Sequence, residues 1–129
     1  SPMTRRSALL ALAAFFAAPL AAIAAGQPFE QAPFDAARKA GKPVLVMVYA
    51  DWCPTCRKQD PVVEALLKTP EFAKVALFRV DFDMQEEVLA AFKVQRQSTL
   101  IVFKGEREVA RSTGDTKPDS IAAMLRKGL

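Results

Sequence analysis

The sequence predicts an α/β domain, a central mixed sheet of four to five strands with helices on both faces. Two observations carry that expectation. Short β-branched apolar runs alternate with segments of helical periodicity. After a first helix the order runs β-α-β, and it closes on two strands joined by a tight turn before a last helix. The chain has 129 residues, 51% apolar and 25% charged. That is one domain's length, with enough apolar side chains to fill a core without disulfide staples.

The elements follow from local composition. Pro28 to Ala40 begins with turn-forming residues and continues as a helix. Pro33 suits its first position, Arg38 and Lys39 its last turn, and Gly41 the position just past its end. Val44 to Ala50, VLVMVYA, is short and β-branched, as expected of a strand buried on both faces. Pro54 to Leu67 reads as a helix kinked by Pro61, with Val62, Val63, Leu66 and Leu67 toward the core. Thr69 is the expected cap of a short helical turn over Pro70-Glu71. Val75 to Phe82 reads as a second buried strand, and Gln85 to Phe92 as a helix using Val88, Leu89 and Phe92. Thr99 to Phe103 is a third strand, turned by Lys104-Gly105 into a fourth at Glu108 to Arg111. Pro118 to Lys127 closes the chain as a helix burying Ile121, Met124 and Leu125.

The first 24 residues read as outside this domain, which then spans 25–129. Ser1 and Pro2 precede Met3 and read as a vector-derived scar. Arg5 and Arg6 form a basic start, Ala8 to Ala18 an uncharged apolar run, and Ala22-Ile23-Ala24 a small-x-small cleavage pattern after Pro19. Together these are the marks of a secretory signal cut after Ala24; an uncleaved membrane anchor is the competing expectation. Thr4-Arg5-Arg6-Ser7 hints at twin-arginine export, but Ala8 stands where that signal prefers Phe, so the route stays open. Cleavage takes two arginines and no acids with it, lowering the formal charge from +4 to +2. Neither value argues for a nucleic-acid partner. An exported, periplasmic setting lets disulfides form and persist.

Composition also excludes chemistries. With no histidine, Ser-His-Asp triads, Cys-His pairs and His-ligated zinc are ruled out. The cysteines are Cys53 and Cys56 alone, too few for a Cys₄ site in one chain or a framework of several disulfides. They lie in Asp51-Trp52-Cys53-Pro54-Thr55-Cys56, between a buried strand and a helix. Cys53 falls at the helix N-cap, where unpaired N–H groups and the helix dipole favour a thiolate. Cys53 is therefore the expected nucleophile, with a lowered pKa. Cys56, one turn inside, is placed to resolve a mixed disulfide. Arg57 and Lys58 add positive charge nearby. A purely structural bridge is a poor alternative, because closing so short a loop removes little chain entropy.

The mature chain resembles the thioredoxin superfamily along nearly its whole length. Lys42-Pro43-Val44-Leu45-Val46 leads into Tyr49-Ala50-Asp51-Trp52-Cys53-Pro54-Thr55-Cys56-Arg57-Lys58, with Pro61 at the family's helix-kink position. Thr99 to Phe103 with Lys104-Gly105-Glu106, and Gly114 before the last helix, resemble the family's end. The Tyr-Ala-Asp-Trp-Cys string is most similar to the periplasmic C-terminal domain of DsbD-type thiol reductases. The resemblance implies a thioredoxin-like fold with Cys53 exposed at a strand tip. It also implies disulfide exchange on protein or peptide substrates, and no bound cofactor or metal. Substrate chains would cross Trp52, Pro54 and Thr55, then Arg96, Gln97 and Ser98, then Thr113 and Gly114. Gln97 would pair its backbone with the substrate, and Arg96 would favour acidic or neutral peptides.

Two positions depart from the family pattern. Ser98 stands where a cis-proline is usual. A cis bond before serine costs about 3 kcal/mol, so a trans Gln97–Ser98 bond is expected, with the loop drawn a little away from the sulfurs. On that reading Ser98→Pro should strengthen substrate pairing. Met47 stands where the family keeps a buried acid that moves protons at the resolving cysteine, and Arg79 where that acid has its lysine neighbour. Asp51, Asp81 and Glu64 are the candidate replacements for the acid, while Met47 itself reads as core.

The expected function is an exported thiol-disulfide oxidoreductase, a monomer reducing protein disulfides and kept reduced by a membrane thiol donor. Two other classes stay open. One is a thioredoxin-fold binding or chaperone module with little redox turnover. The other is metal or cluster carriage by two chains, each giving Cys53 and Cys56.

Overall fold

The computed structural model describes residues 26–129. The expected signal segment and its cleavage position lie outside them. Five strands form one sheet: β1 (Gln27–Pro28), β2 (Pro43–Tyr49), β3 (Ala76–Asp81), β4 (Thr99–Lys104) and β5 (Arg107–Thr113). Four helices connect and cover it: α1 (Gln31–Lys39), α2 (Pro54–Leu67), α3 (Glu86–Phe92) and α4 (Pro118–Arg126). The sheet order is β1-β3-β2-β4-β5. β1 and β2 both run parallel to β3, whereas β2 with β4 and β4 with β5 are antiparallel. This is the thioredoxin-like α/β fold that the sequence resemblance implied.

The two central strands explain their own burial. Val44, Leu45, Val46, Met47 and Val48 on β2 and Leu100 and Ile101 on β4 are wholly removed from solvent. Alternate residues face opposite sides, so β2 supplies two cores. Leu45 and Met47 join Val63 of α2, Leu100, and Ile121 and Leu125 of α4. Val44, Val46 and Val48 face Phe29, Phe34, Phe78 and Phe103 beneath α1 and α3. Each such side chain contributes roughly 1.5–3 kcal/mol by leaving water. Phe34 is the centre of the aromatic side, in edge contact with Phe78, Phe92 and Phe103 at 5.4–5.7 Å between centroids.

Local signals explain most boundaries. α1 stops at Gly41, whose φ of 73° is the left-handed turn that glycine tolerates. Pro54 opens α2, and the helix runs through Pro61. Three details differ from the sequence expectation. Pro33 is the third residue of α1 rather than its first. The Thr69 hydroxyl donates back to the Leu66 carbonyl at 2.6 Å instead of capping the next turn. β1 was not anticipated: two residues pair with Phe78 and Arg79 at the sheet edge, too short a stretch to carry any periodicity. Among the described residues no helix is long and apolar enough to cross a membrane.

Candidate functional site

β2 delivers the chain to the redox pair. Its apolar run ends at Tyr49, a turn follows at Asp51 and Trp52, and Cys53 becomes the N-cap of α2 with extended backbone angles (φ −91°, ψ 108°). The Cys53 N–H donates to the Ala50 carbonyl at 3.1 Å. Pro54, lacking an N–H, occupies the first helical position, where no donor is needed. The Cys56 N–H points at Cys53 Sγ at 3.1 Å. An N-terminal backbone donor therefore faces the first sulfur, the local field that stabilises a thiolate. Cys53 and Cys56 are joined as a disulfide, with Cα atoms 5.3 Å apart.

Both cysteines are covered. Cys53 is 1% exposed and Cys56 2%, which corrects the expectation of an exposed Cys53. Ala50 packs with the pair, Tyr49 and Phe82 lie against it, and Ser98 is the polar part of the cover. Ser98 Oγ lies 3.1 Å from Cys53 Sγ and 3.1 Å from Cys56 Sγ. A disulfide sulfur carries no proton, so the hydroxyl is the donor here, serving one sulfur at a time.

The Ser98 loop is trans, since no peptide bond among the described residues is cis. It is not drawn away from the sulfurs, however. Ser98 takes a left-handed φ of 62°, and that rotation brings its side chain onto the disulfide. The conformation costs a non-glycine residue about 1–2 kcal/mol. Three hydrogen bonds hold it. The Ser98 N–H donates to Val48 O at 2.8 Å, and the Ser98 carbonyl accepts from the Gly114 N–H at 3.0 Å and from Gln59 Nε2 at 3.0 Å. Gly114 itself has φ 80°, a turn that favours glycine. Proline fits none of this, since its φ is locked near −65° and it has no N–H for Val48. The expected gain from Ser98→Pro is therefore withdrawn.

Gln59 was missed in the sequence. It is fully buried, and its amide also donates to the Asp115 carbonyl at 2.8 Å. A signal existed: Gln59 lies three residues after Cys56 and four before Val63, on the helical stripe that faces the sheet.

Met47 is core, as read. Arg79 pairs with it in strand register, but the guanidinium reaches Asp60 at 2.9 Å and lies 4.5 Å from the centre of the Tyr49 ring. None of the three candidate acids contacts a sulfur. Asp51 is exposed, Glu64 pairs with Lys68, and the Asp81 carboxylate accepts the N–H groups of Asp83 and Met84. Tyr49 is no substitute: burial, and then the negative charge of Asp81, push its phenol above the usual range. Among the described residues, the polar neighbours of the sulfurs are Ser98 Oγ, the Cys56 N–H and, 4.0 Å from Cys56, the Val48 carbonyl.

Around the pair, Trp52 is 55% exposed, its ring edge-on to Phe82 and its indole N–H donating to Asp83 at 2.8 Å. Pro54 and Arg96 are exposed, Thr55 and Gln97 half-buried. Thr99 Oγ1 donates to the Arg96 carbonyl at 2.8 Å and meets Thr113 Oγ1 at 3.1 Å, tying the Arg96–Ser98 loop to the Thr113–Gly114 loop. Arg57, expected to bring charge toward the sulfurs, donates to the Asp51 carbonyl at 2.9 Å from an exposed position. No group of three His, Cys, Asp or Glu side chains suited to one metal ion occurs among the described residues.

The Thioredoxin family profile matches residues 27–127. A thioredoxin of Chlamydia trachomatis is 36% identical over 84 residues, covering 65% of this chain and 80% of that protein. A thioredoxin of Alicyclobacillus acidocaldarius is 34% identical over 94 residues, covering 73% of this chain and 89% of that protein. Among solved structures, Trxlp from Edwardsiella tarda superposes with a TM-score of 0.75 at 41% identity, covering 77% of this chain and 96% of the other. Thioredoxin NaTrxh from Nicotiana alata gives 0.70 at 25% identity, covering 81% and 92%.

Proposed function

Because the chain belongs to the thioredoxin family and carries that family's dithiol as Cys53 and Cys56, we propose that it is an exported reductase of protein disulfides, comparable to the periplasmic C-terminal domain of DsbD-type thiol reductases. The thiol-disulfide exchange itself follows from the site. Reduced Cys53, facing the Cys56 N–H, attacks one sulfur of a substrate disulfide and expels the other as a thiolate. Cys56 then attacks Cys53 Sγ, forming the internal bridge and releasing the second substrate sulfur. The chain is oxidised by two electrons and the substrate reduced by two, so a thiol donor must restore the dithiol. For an exported protein that donor is a membrane dithiol.

The observation that carries the reducing direction is the Pro54-Thr55 pair between the cysteines, which offers no imidazole to stabilise the Cys53 thiolate. A less stabilised thiolate favours the disulfide form, and hence a lower potential. Substrate would lie across Trp52, Pro54 and Thr55 on one side and Arg96, Gln97, Ser98 and Gly114 on the other, with Arg96 favouring acidic or neutral chains. Export rests on Arg5-Arg6, the apolar run Ala8 to Ala18 and Ala22-Ile23-Ala24.

The reduction potential of the Cys53/Cys56 couple against glutathione tests the direction. A value at about −200 mV or below is expected; one at about −120 mV would make the protein an oxidant. N-terminal sequencing of the exported protein should begin at Ala25, and a chain retaining Arg5-Arg6 would overturn cleavage. The burial of both cysteines lends one observation to a second reading, a peptide-binding module with little turnover. Insulin reduction with a Cys53→Ser control separates the two.

A further inference from the structure

The family's usual acid beneath the resolving cysteine is absent here, because Met47 is apolar and sealed in the core. What touches the sulfurs instead is a hydroxyl. We propose that Ser98 is a catalytic residue, whose hydroxyl hydrogen-bonds the Cys53 thiolate of the reduced protein and so sets its acidity and the potential of the couple.

The geometry is built for this. Ser98 is 3% exposed and its Oγ is 3.1 Å from each sulfur. A rotation about one bond lets it serve whichever sulfur carries charge, without moving the backbone. That backbone is fixed at φ 62° by Val48, Gly114 and Gln59, from β2, the β5–α4 loop and α2. A strained residue clamped from three directions beside the reacting atoms marks a site where position matters more than local ease.

The surrounding charges leave the role to the hydroxyl. From α2, Arg57 is turned to the Asp51 carbonyl and Lys58 is exposed. From the end of β2, Asp51 is exposed and the Tyr49 phenol stays neutral. From the end of β3, Asp81 caps its own turn. From the loop before α4, Asp115 accepts the Lys117 N–H and the Ser120 hydroxyl. From the Ser98 loop itself, Arg96 is exposed.

The energetic sign follows. A hydroxyl donates weakly to a neutral disulfide sulfur and much more strongly to a thiolate. Ser98 therefore stabilises the reduced form more than the oxidised form and raises the potential above what the helix terminus alone would set. It takes no electrons and needs no co-reactant. The proposal rests on disulfide exchange at Cys53 and Cys56, not on the direction of that exchange.

The test uses the full chain with Ser98→Ala and Ser98→Gly. Alanine removes the hydroxyl and keeps the strained angle; glycine removes both and adopts φ 62° freely, so it folds without strain. Two quantities are measured against wild type: the pH midpoint of Cys53 alkylation by iodoacetamide, and the reduction potential in glutathione. Loss of a hydrogen bond to a charged sulfur should raise the midpoint by about one pH unit in both variants and make both potentials more negative. Unchanged values in both variants, or a shift in only one, would overturn the proposal, the latter by assigning the effect to backbone angle. The absolute potential tests the reducing direction, whereas only the difference from wild type tests Ser98, so the two can fail separately.

Discussion

The Gln59 side-chain amide donates to the Ser98 carbonyl at 3.0 Å and to the Asp115 carbonyl at 2.8 Å, joining α2 to the two loops that flank the disulfide. A helix residue one turn beyond Cys56 thus fixes the segment that covers both sulfurs.

Gln59→Leu should lower stability by about 1–2 kcal/mol. Two donated hydrogen bonds are lost, at roughly 1 kcal/mol each. Part is recovered, because Gln59 Oε1 has no hydrogen-bond partner and leucine removes that buried acceptor. Urea unfolding at neutral pH measures the change. A variant as stable as wild type would show that the clamp contributes nothing to stability.

Met47→Asp, which restores the family's acid, should not restore an ordinary site. Met47 is fully buried among Leu45, Val63 and Leu100, and the cation in register with it, Arg79, is engaged with Asp60. A carboxyl there has no partner, so a loss of about 3 kcal/mol or more is expected. A near-neutral urea midpoint shift would mean that Arg79 leaves Asp60 for the new acid.

The Glu71–Arg126 pair gives a pH dependence of known sign. The hydrogen bond from Arg126 holds the Glu71 carboxyl below its ordinary value of 4.5. A depressed folded value contributes stability above the unfolded value, and that stability is lost as pH falls through the folded one. Wild type should exceed Glu71→Gln modestly near pH 7, since both side chains are well exposed. The two should converge as pH falls through the lowered folded value, where Glu71 becomes neutral like glutamine. A gap that stays constant with pH would remove the ion pair as its cause.

The readable parts of the fold were those where one residue type has one use. VLVMVYA and TLIVF read as strands because both runs are short and rich in β-branched residues, and Gly41 ends α1 because a left-handed turn needs glycine there. Cys53 before Pro54 placed the helix terminus within one residue. Other features had no such signature. β1 is two residues of backbone pairing. Lys93 ends α3 at a left-handed φ of 56° although lysine does not announce that angle. Ser98 likewise hides its angle, so the approach of its hydroxyl to the sulfurs came from the clamp by Val48, Gly114 and Gln59, three contacts distant in sequence. Gln59 was passed over although its spacing from Cys56 and Val63 put it on the sheet-facing stripe, because the carbonyls that let an amide be buried come only from the folded loops.

Trapping the exchange intermediate tests most directly that Cys53 attacks and Cys56 resolves. With Cys56→Ser, a disulfide-bonded substrate such as insulin should accumulate as a mixed disulfide through Cys53, and turnover with a thiol donor should cease. With Cys53→Ser neither adduct nor turnover should form. An adduct through Cys56 in the Cys53→Ser protein, or undiminished turnover in either variant, would contradict the assignment.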